Sequence, residues 1–397
     1  MTTKVMIVAG EASGDLHGSH LAKKLIELEP EVKLFGMGGT LMKEAGVRLL
    51  FNPTGISALG FVEVLKNVQV LRRVLMRLGE VMSRQKPDVL VVIDFPGFNM
   101  RLAEMAHRLG IPVVYYIGPS VWAWGRGRAK KVAKNVSCVC SIFPFEAAEY
   151  QAAGARVCYV GHPLLDSVKQ NLSREEYLTN IGLEPERPFF ALLPGSREQE
   201  IKQLLPLMLK ASRLIKLEIP EAQFGIPVAH TLSRRMIESY VHAVDGVQPL
   251  VMMEGTTIDM LGAADAAIIA GGTATLEAAI LGTPMVMVAK LAPSTYRIFK
   301  MLVKIKLYAL PNIVAGHKVV EELIQHEATP EAMAAEIVDL WRHPERRQRI
   351  KEQLAEVVKR LGQNGASTRT AQAVLAVGRG EDPGRYSLDY QAKRSGD

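Results

Sequence analysis

Short apolar runs alternate with stretches of helical periodicity along most of the chain. Val, Ile and Leu cluster at 5–9, 88–93, 112–117 and 136–142, and again near 188–193, 223–228, 265–270 and 284–288. Runs this short and this apolar predict buried parallel strands, and the period near 3.6 between them predicts crossover helices. The chain therefore reads as α/β, with a doubly wound first domain over 1–165 and a similar one over 187–345. After Gly161-His162-Pro163 the chain turns polar through Gln170-Asn171-Leu172-Ser173-Arg174-Glu175-Glu176, which puts the boundary between 163 and 187. Helices are predicted over 345–361 and 366–377, making 346–378 a C-terminal helical part. The Gly-, Asp-, Arg- and Ser-rich end over 379–397 is expected to be disordered.

Two strand-to-helix turns of one design lie about half a chain apart. Val5-Met6-Ile7-Val8-Ala9-Gly10-Glu11-Ala12-Ser13-Gly14-Asp15 is the first, and Phe190-Ala191-Leu192-Leu193-Pro194-Gly195-Ser196-Arg197-Glu198 the second. Each ends a strand in small residues and opens a helix whose first N–H groups point at the turn, so two similar halves facing a central cleft are expected. Neither turn is GxGxxG or GxxxxGK[ST], which argues against a dinucleotide site or a nucleoside triphosphatase.

Composition adds limits. A chain of 397 residues, 48% hydrophobic, can bury two cores, and its formal charge of +7 favours anionic partners. No signal-like N-terminus and no apolar run near the roughly 18 residues of a membrane span is visible, which predicts a cytoplasmic protein. Cys138 and Cys140 alternate on a predicted strand without a second ligand pair, so the three cysteines read as buried thiols. His17 and His20 could form half of a metal site but lack partners, and no Asp-x-Asp stands where a metal-held diphosphate would need one, so neither metal nor cofactor is expected.

Chemistry concentrates at predicted strand ends. Asp94 follows Val89-Leu90-Val91-Val92-Ile93 and opens Asp94-Phe95-Pro96-Gly97-Phe98-Asn99, where open α/β sheets bind ligands. It reads equally as a general base, its pKa raised by the apolar frame, or as an N-cap for the following helix. Pro119-Ser120-Val121-Trp122-Ala123-Trp124 is an aromatic loop flanked by Arg126 and Arg128, suited to a sugar or acyl group plus an anion, or to packing between domains. Gly271-Gly272-Thr273-Ala274-Thr275-Leu276-Glu277 repeats the strand, glycine turn and helix pattern. With Gly195, Ser196 and Arg197 it makes a cradle for a diphosphate, and Glu277 reads either as an acceptor for ribose hydroxyls or as an ordinary first-turn glutamate favoured by the helix dipole. The stretch 59–78 is more apolar than one buried stripe requires and its polar positions are mostly Lys and Arg, which fits either an anionic lipid surface or a packed helix. Lys300–Leu307 is a weaker patch of the same kind.

Together, Gly10–Asp15, Ile93–Asn99, Pro119–Trp124, Gly161–Pro163, Leu193–Arg197, Gly272–Glu277 and Leu310-Pro311-Asn312 resemble the lipid-A-disaccharide synthase family, in order, from about Lys4 to Val377. The resemblance implies a GT-B fold of two Rossmann-like domains, the C-terminal helices crossing back. It implies an inverting, metal-independent glycosyltransferase joining UDP-2,3-diacylglucosamine to the 6-hydroxyl of 2,3-diacylglucosamine 1-phosphate, giving the β-1,6 disaccharide 1-phosphate and UDP.

By the same resemblance Asp94 is the catalytic carboxylate and Arg197 is needed for activity. Gly272, Thr273, Glu277, Asn312 and Glu322 surround UDP. Read from the residues, Glu11, Asp15 and His17 belong to a first turn that should face the same cleft, so they are rivals to Asp94 as the base and are expected instead to position acceptor or phosphate; Ser13, Trp122 and His162 are placed on the acceptor side or the cleft with them. Residues 61–78 attach the enzyme peripherally to the inner membrane. A homodimer exchanging C-terminal parts is compatible with this reading, and no nucleic-acid partner is expected. The chain departs from the family pattern at Gly97, where many members carry a second acid, at Gly271, often a serine, and at Glu321, often a proline. The missing acid leaves the carboxylate chemistry to Asp94. A UDP-sugar 2-epimerase, needing no lipid surface, and a non-catalytic, membrane-associated nucleotide-sugar binding module are the rival readings, because fold alone does not decide function.

Overall fold

The eight predicted apolar runs are all parallel strands in the computed structural model, which describes residues 2–52, 63–121, 126–229, 232–244, 249–252, 256–290 and 306–389. Two compact units result: Met1–Pro163 with Leu361–Asp397, and Leu164–Arg360.

The first unit holds β1 (Lys4–Ala9), β2 (Lys33–Met37), β3 (Arg48–Phe51), β4 (Val89–Ile93), β5 (Val113–Tyr116), β6 (Cys138–Ser141) and β7 (Val157–Tyr159), ordered β3-β2-β1-β4-β5-β6-β7. Central strands are buried on both faces, β4 at every position, which is why they read as continuous apolar runs. One core joins the sheet to Leu78 and Met82 of helix Glu63–Gln85, Leu102 and Ala106 of helix Pro96–Arg108, Val132 of helix Arg126–Asn135 and Tyr150 of helix Pro144–Ala152.

Helix Ala12–Leu28 packs instead beside helix Ala366–Gly378, which also lies on β4, β5 and β6. The last helix is thus a layer of this first unit, sharing β4 with helix Ala12–Leu28 and extending over β5 and β6. Its buried Ala366, Ala371, Ala373 and Ala376 permit close approach to its neighbours. Buried Arg369 secures the returning chain by donating to the carbonyls of Val160, Gln363 and Asn364. Part of the expected disordered tail is ordered: Pro383–Tyr386 is a 3-10 helix, and Ser387 Oγ accepts from Tyr159 N–H at 3.1 Å, finishing β7. A buried backbone donor at that strand edge needs a partner, and the polar tail supplies it.

The second unit holds β8 (Phe189–Leu193), β9 (Gln223–Pro227), β10 (Leu250–Met252), β11 (Ala266–Ala270), β12 (Met285–Ala289) and β13 (Glu321–Ile324), ordered β10-β9-β8-β11-β12-β13. Helices Glu198–Glu218 and Pro330–Arg342 pack together over it. The polar stretch after Pro163 is part of this unit, so the boundary falls at the start of the expected 163–187 window. Ser173 and Glu176 form a capping box for helix Arg174–Asn180, and Asp259 accepts from the N–H groups of Asn171 and Leu172. Helix Pro344–Arg360 also belongs here, so the expected C-terminal helical part divides at Arg360.

Candidate active site

Each sheet reverses strand order once at its centre, between β1 and β4 in the first unit and between β8 and β11 in the second. Loops leaving such neighbouring strands diverge to opposite faces and open a crevice at the carboxyl ends, where α/β sheets bind ligands. Gly10-Glu11 and Asp94 stand at the first crevice; Gly195-Ser196-Arg197 and Gly271-Gly272-Thr273 stand at the second.

Asp94 occupies a strained turn. Asp94 and Phe95 have φ of +46° and +48°, and Ile117 at the end of neighbouring β5 has +57°. Consecutive left-handed residues without a glycine cost on the order of 1–3 kcal/mol each and persist only where surroundings enforce them. Here Asn99 Nδ2 donates to Ile93 O at 3.0 Å and Asp94 O at 2.7 Å, while the Tyr115 hydroxyl donates to Asp94 O at 2.9 Å. Gly10 leaves room for the Phe95 ring, since a Cβ there would sit 2.3 Å from it. The clamp grips the main chain and leaves the carboxyl half-buried; burial raises its pKa, opposed by a hydrogen bond from Phe95 N–H. Helix Pro96–Arg108 takes Phe95, not Asp94, as its N-cap, so the capping alternative is removed. Sequence reasoning did not single out Asn99 or Tyr115; the one available signal was an amide on the buried face of a helix opening in an apolar frame.

Asp15 is held by backbone. Its Oδ1 accepts from Gly39 N–H at 2.7 Å and Met42 N–H at 3.1 Å, and Oδ2 accepts from Leu41 N–H at 3.1 Å. The buried carboxylate therefore caps the short helix Thr40–Glu44 across the fold and is engaged there, which argues against it as the base. Asp15→Ala would strand three N–H groups. We expect a loss on the order of 2–4 kcal/mol in urea melts, with Asp15→Asn milder and turnover of the folded fraction little changed.

Glu11 is the exposed N-cap residue of helix Ala12–Leu28, and Ser13 is exposed in its first turn. His17 sets its ring against Tyr116, centroids 6.2 Å apart, and buried His162 packs on Phe143 at 5.0 Å. Burial, then the charge of His20, holds His17 down to about 4; burial, then His17, holds His162 down to about 3. Both are neutral imidazoles near pH 7. Unfolded histidine takes a proton near pH 6.5, so between there and pH 4 the unfolded chain binds more protons. Stability is full above that range and falls as pH drops through it, on the order of 3 kcal/mol by pH 4 for His17 alone. Denaturant midpoints at pH 7.5 and 5 should show this loss, and His17→Gln should shrink it; equal midpoints in wild type would sink the idea. Trp122 and the patch 300–305 lie outside the described residues, as do residues 61 and 62 of the expected surface helix.

In the second unit, β8 feeds the turn that starts helix Glu198–Glu218, with Arg197 as N-cap. Its guanidinium is 77% exposed and paired with Glu200 at 3.0 Å. In the turn after the adjacent strand β11, Gly272 at φ +132° has open space where a side chain would stand, and Thr273 is exposed at the start of helix Ala274–Ile280. Glu277 is half-buried one turn on, and burial raises its pKa.

Asn312 and Glu322 form a linked pair. Asn312 is fully buried; Nδ2 donates to Val320 O at 2.9 Å and Glu322 Oε1 at 2.8 Å, and Oδ1 accepts from the N–H groups of Val319 and Val320. Every donor and acceptor of that amide is used. The Asn312 side chain is thus engaged within its own loop, bonded to Glu322 and to the main chain at 319–320. Glu322 Oε1 also accepts from Tyr308 and Ala309 N–H, at 2.9 and 2.7 Å, ahead of helix Leu310–Ala315, while its Oε2 makes no hydrogen bond among the described residues.

Residues 5–377 match the family model of lipid-A-disaccharide synthetase. The chain is 43% identical over 375 residues to the lipid-A-disaccharide synthase of Syntrophus aciditrophicus, spanning 94% of this chain and 97% of that one. It is 41% identical over 374 residues to the corresponding protein of Trichlorobacter lovleyi, with the same coverage. Among solved structures, UDP-GlcNAc 2-epimerase from Neisseria meningitidis, bound to UDP-GlcNAc, aligns with a TM-score of 0.63 at 12% identity over 94% of this chain and 100% of that one. The calicheamicin glycosyltransferase CalG4 aligns with a TM-score of 0.58 at 14% identity, over 95% and 98%. Identity this low speaks for the fold alone, the pair of Rossmann-like domains of the GT-B class. A family model spanning nearly the whole length, with relatives above 40% identity, leads to one conclusion: the chain belongs to the lipid-A-disaccharide synthase family of glycosyltransferases.

Proposed function

We propose that Asp94 takes the proton of the 6-hydroxyl of 2,3-diacylglucosamine 1-phosphate as that oxygen attacks the anomeric carbon of UDP-2,3-diacylglucosamine. The new glycosidic bond forms on the face opposite UDP, the bond to the diphosphate breaks, and its electron pair leaves with UDP. One displacement inverts the anomeric centre. The observation that carries this reading is the Asp94 carboxyl at the first crevice, half-buried, left outside the main-chain clamp and raised in pKa by burial; the second crevice, taken by itself, adds the Arg197 cation beside the Ser196 and Arg197 N–H groups.

Arg197, the Ser196 and Arg197 amides and the Gly272-Thr273 turn would meet charge developing on the leaving diphosphate. Glu277 and Glu322 Oε2 are suited to ribose hydroxyls. The solved 2-epimerase bound to UDP-GlcNAc supports a nucleotide-sugar site on this fold. Neutral His17 and His162, with Glu11 and Ser13, are suited to the acceptor.

The lipid substrates call for a membrane surface. No helix among the described residues is long and apolar enough to cross a membrane. Helix Glu63–Gln85 packs Leu71, Val74, Leu75, Leu78 and Met82 inward and exposes Arg72, Arg73, Met76 and Arg77. Helix Arg126–Asn135 exposes Arg128, Lys130, Lys131 and Lys134 on the same side of the sheet. Each such cation adds about 1 kcal/mol near an anionic leaflet, enough together for peripheral attachment at the cytoplasmic face of the inner membrane.

The deciding experiment incubates the enzyme with UDP-2,3-diacylglucosamine, with and without acceptor, in detergent containing EDTA, and reads products by mass spectrometry. Disaccharide 1-phosphate that depends on acceptor is expected. Donor consumed without acceptor would favour the epimerase or a hydrolase, and UDP binding without turnover would favour a binding module.

A further inference from the structure

An anion already sits at the start of helix Glu198–Glu218, and the chain itself supplies it. Glu200 Oε2 accepts from Ser196 N–H at 3.0 Å and Arg197 N–H at 3.3 Å, while Oε1 takes Arg197 Nη1 at 3.0 Å. Gly195, at φ +111°, wraps so closely that a Cβ would lie 2.3 Å from Glu200 Oε2. A capping box engages only the N-cap N–H. Here one carboxylate also holds the amide before it and the guanidinium, so it gathers two amides and a cation as a phosphate would.

These are the donors assigned above to the diphosphate. One N–H makes one strong hydrogen bond, and two anions at one helix N-terminus repel. We propose that Glu200 is an internal stand-in for the diphosphate: it preorganises the donors in the empty enzyme and must yield them when the nucleotide binds, so it sets the affinity for UDP. The inference rests on the reading that UDP binds at this turn. Glu200 is half-buried, its side chain 30% exposed, which leaves it a route outward, and neighbouring Glu198 reaches toward Lys202 instead.

A stand-in differs from a simple cap in one respect. Neutralising a cap loosens the helix and weakens binding of any nucleotide, whereas neutralising a competitor strengthens binding of phosphorylated ligands alone. The test is calorimetric titration of UDP and of uridine into wild type, Glu200→Gln, Glu200→Ala and Arg197→Ala. Glu200→Gln keeps the size and an oxygen acceptor while removing the charge. We expect it to bind UDP about 3–10-fold more tightly, with uridine unchanged, the range that separates charge-assisted from neutral hydrogen bonds. Glu200→Ala should raise the UDP-to-uridine affinity ratio in the same direction, a readout that partial loss of folded protein leaves alone.

Unchanged or weaker UDP binding by Glu200→Gln, with Arg197→Ala clearly weakened, would overturn the stand-in and spare the site. UDP binding insensitive to Arg197→Ala would overturn the site itself, and the stand-in with it.

Discussion

Asp94→Asn is expected to lower turnover about 10²–10⁴-fold, the range for losing a general base, while UDP affinity and the melting midpoint stay near wild type. Stability should hold because Asn99 and Tyr115 grip the main-chain carbonyl of residue 94, not its carboxyl. Asparagine also tolerates the left-handed backbone that position 94 requires. A pH–rate profile sharpens the test. Burial raises the Asp94 pKa, so the acidic limb of wild-type kcat should lie above the ordinary carboxylate range, activity rising as the carboxyl ionises. That limb should vanish in Asp94→Asn. Near-native turnover in this variant, or an acidic limb that survives in it and disappears in His17→Gln, would move the base elsewhere.

Arg197→Ala should cost about 10²–10³-fold in kcat, the usual loss when one preorganised stabiliser of a developing charge is removed. The side chain is mostly exposed and its ion pair with Glu200 is local, so the fold should survive. Arg197→Lys should recover only part of the rate, because an ammonium supplies charge without the planar fork that grips two phosphate oxygens. Pre-steady-state measurement of disaccharide formation separates chemistry from UDP release. A defect confined to UDP affinity, with the chemical step intact, would make Arg197 a binding residue only.

The contrast between Asp94 and Asp15 shows what a sequence leaves open. Both are acids near the carboxyl end of an apolar strand, and local pattern treats them alike. Three backbone N–H groups from residues 39–42 engage Asp15, whereas the groups holding residue 94 leave its carboxyl available. Asn312 follows the same logic. A motif marks the residue, but only the assembled loop reveals that the amide is saturated and passes its effect to Glu322.

By itself the sequence determined the central strands of both sheets, the helices between them and the glycine turns. Burial on both faces forces continuous apolar runs, and tight turns before a helix demand small residues, so these are local signatures of chain chemistry. The same motifs, in order, were enough to indicate the family. Tertiary structure alone decided β2 and the outer strands β3, β7, β10 and β13, which are short and, in Arg48-Leu49-Leu50-Phe51 and Glu321-Glu322-Leu323-Ile324, partly polar. Their pairing comes from a neighbouring strand, and no local period announces it. It also decided that helix Ala366–Gly378 completes the first unit while helix Pro344–Arg360 stays with the second, and which carboxylates are engaged by backbone. Those outcomes depend on groups tens to hundreds of residues apart in the chain, such as Arg369 and Val160, whose meeting only the folded packing enforces.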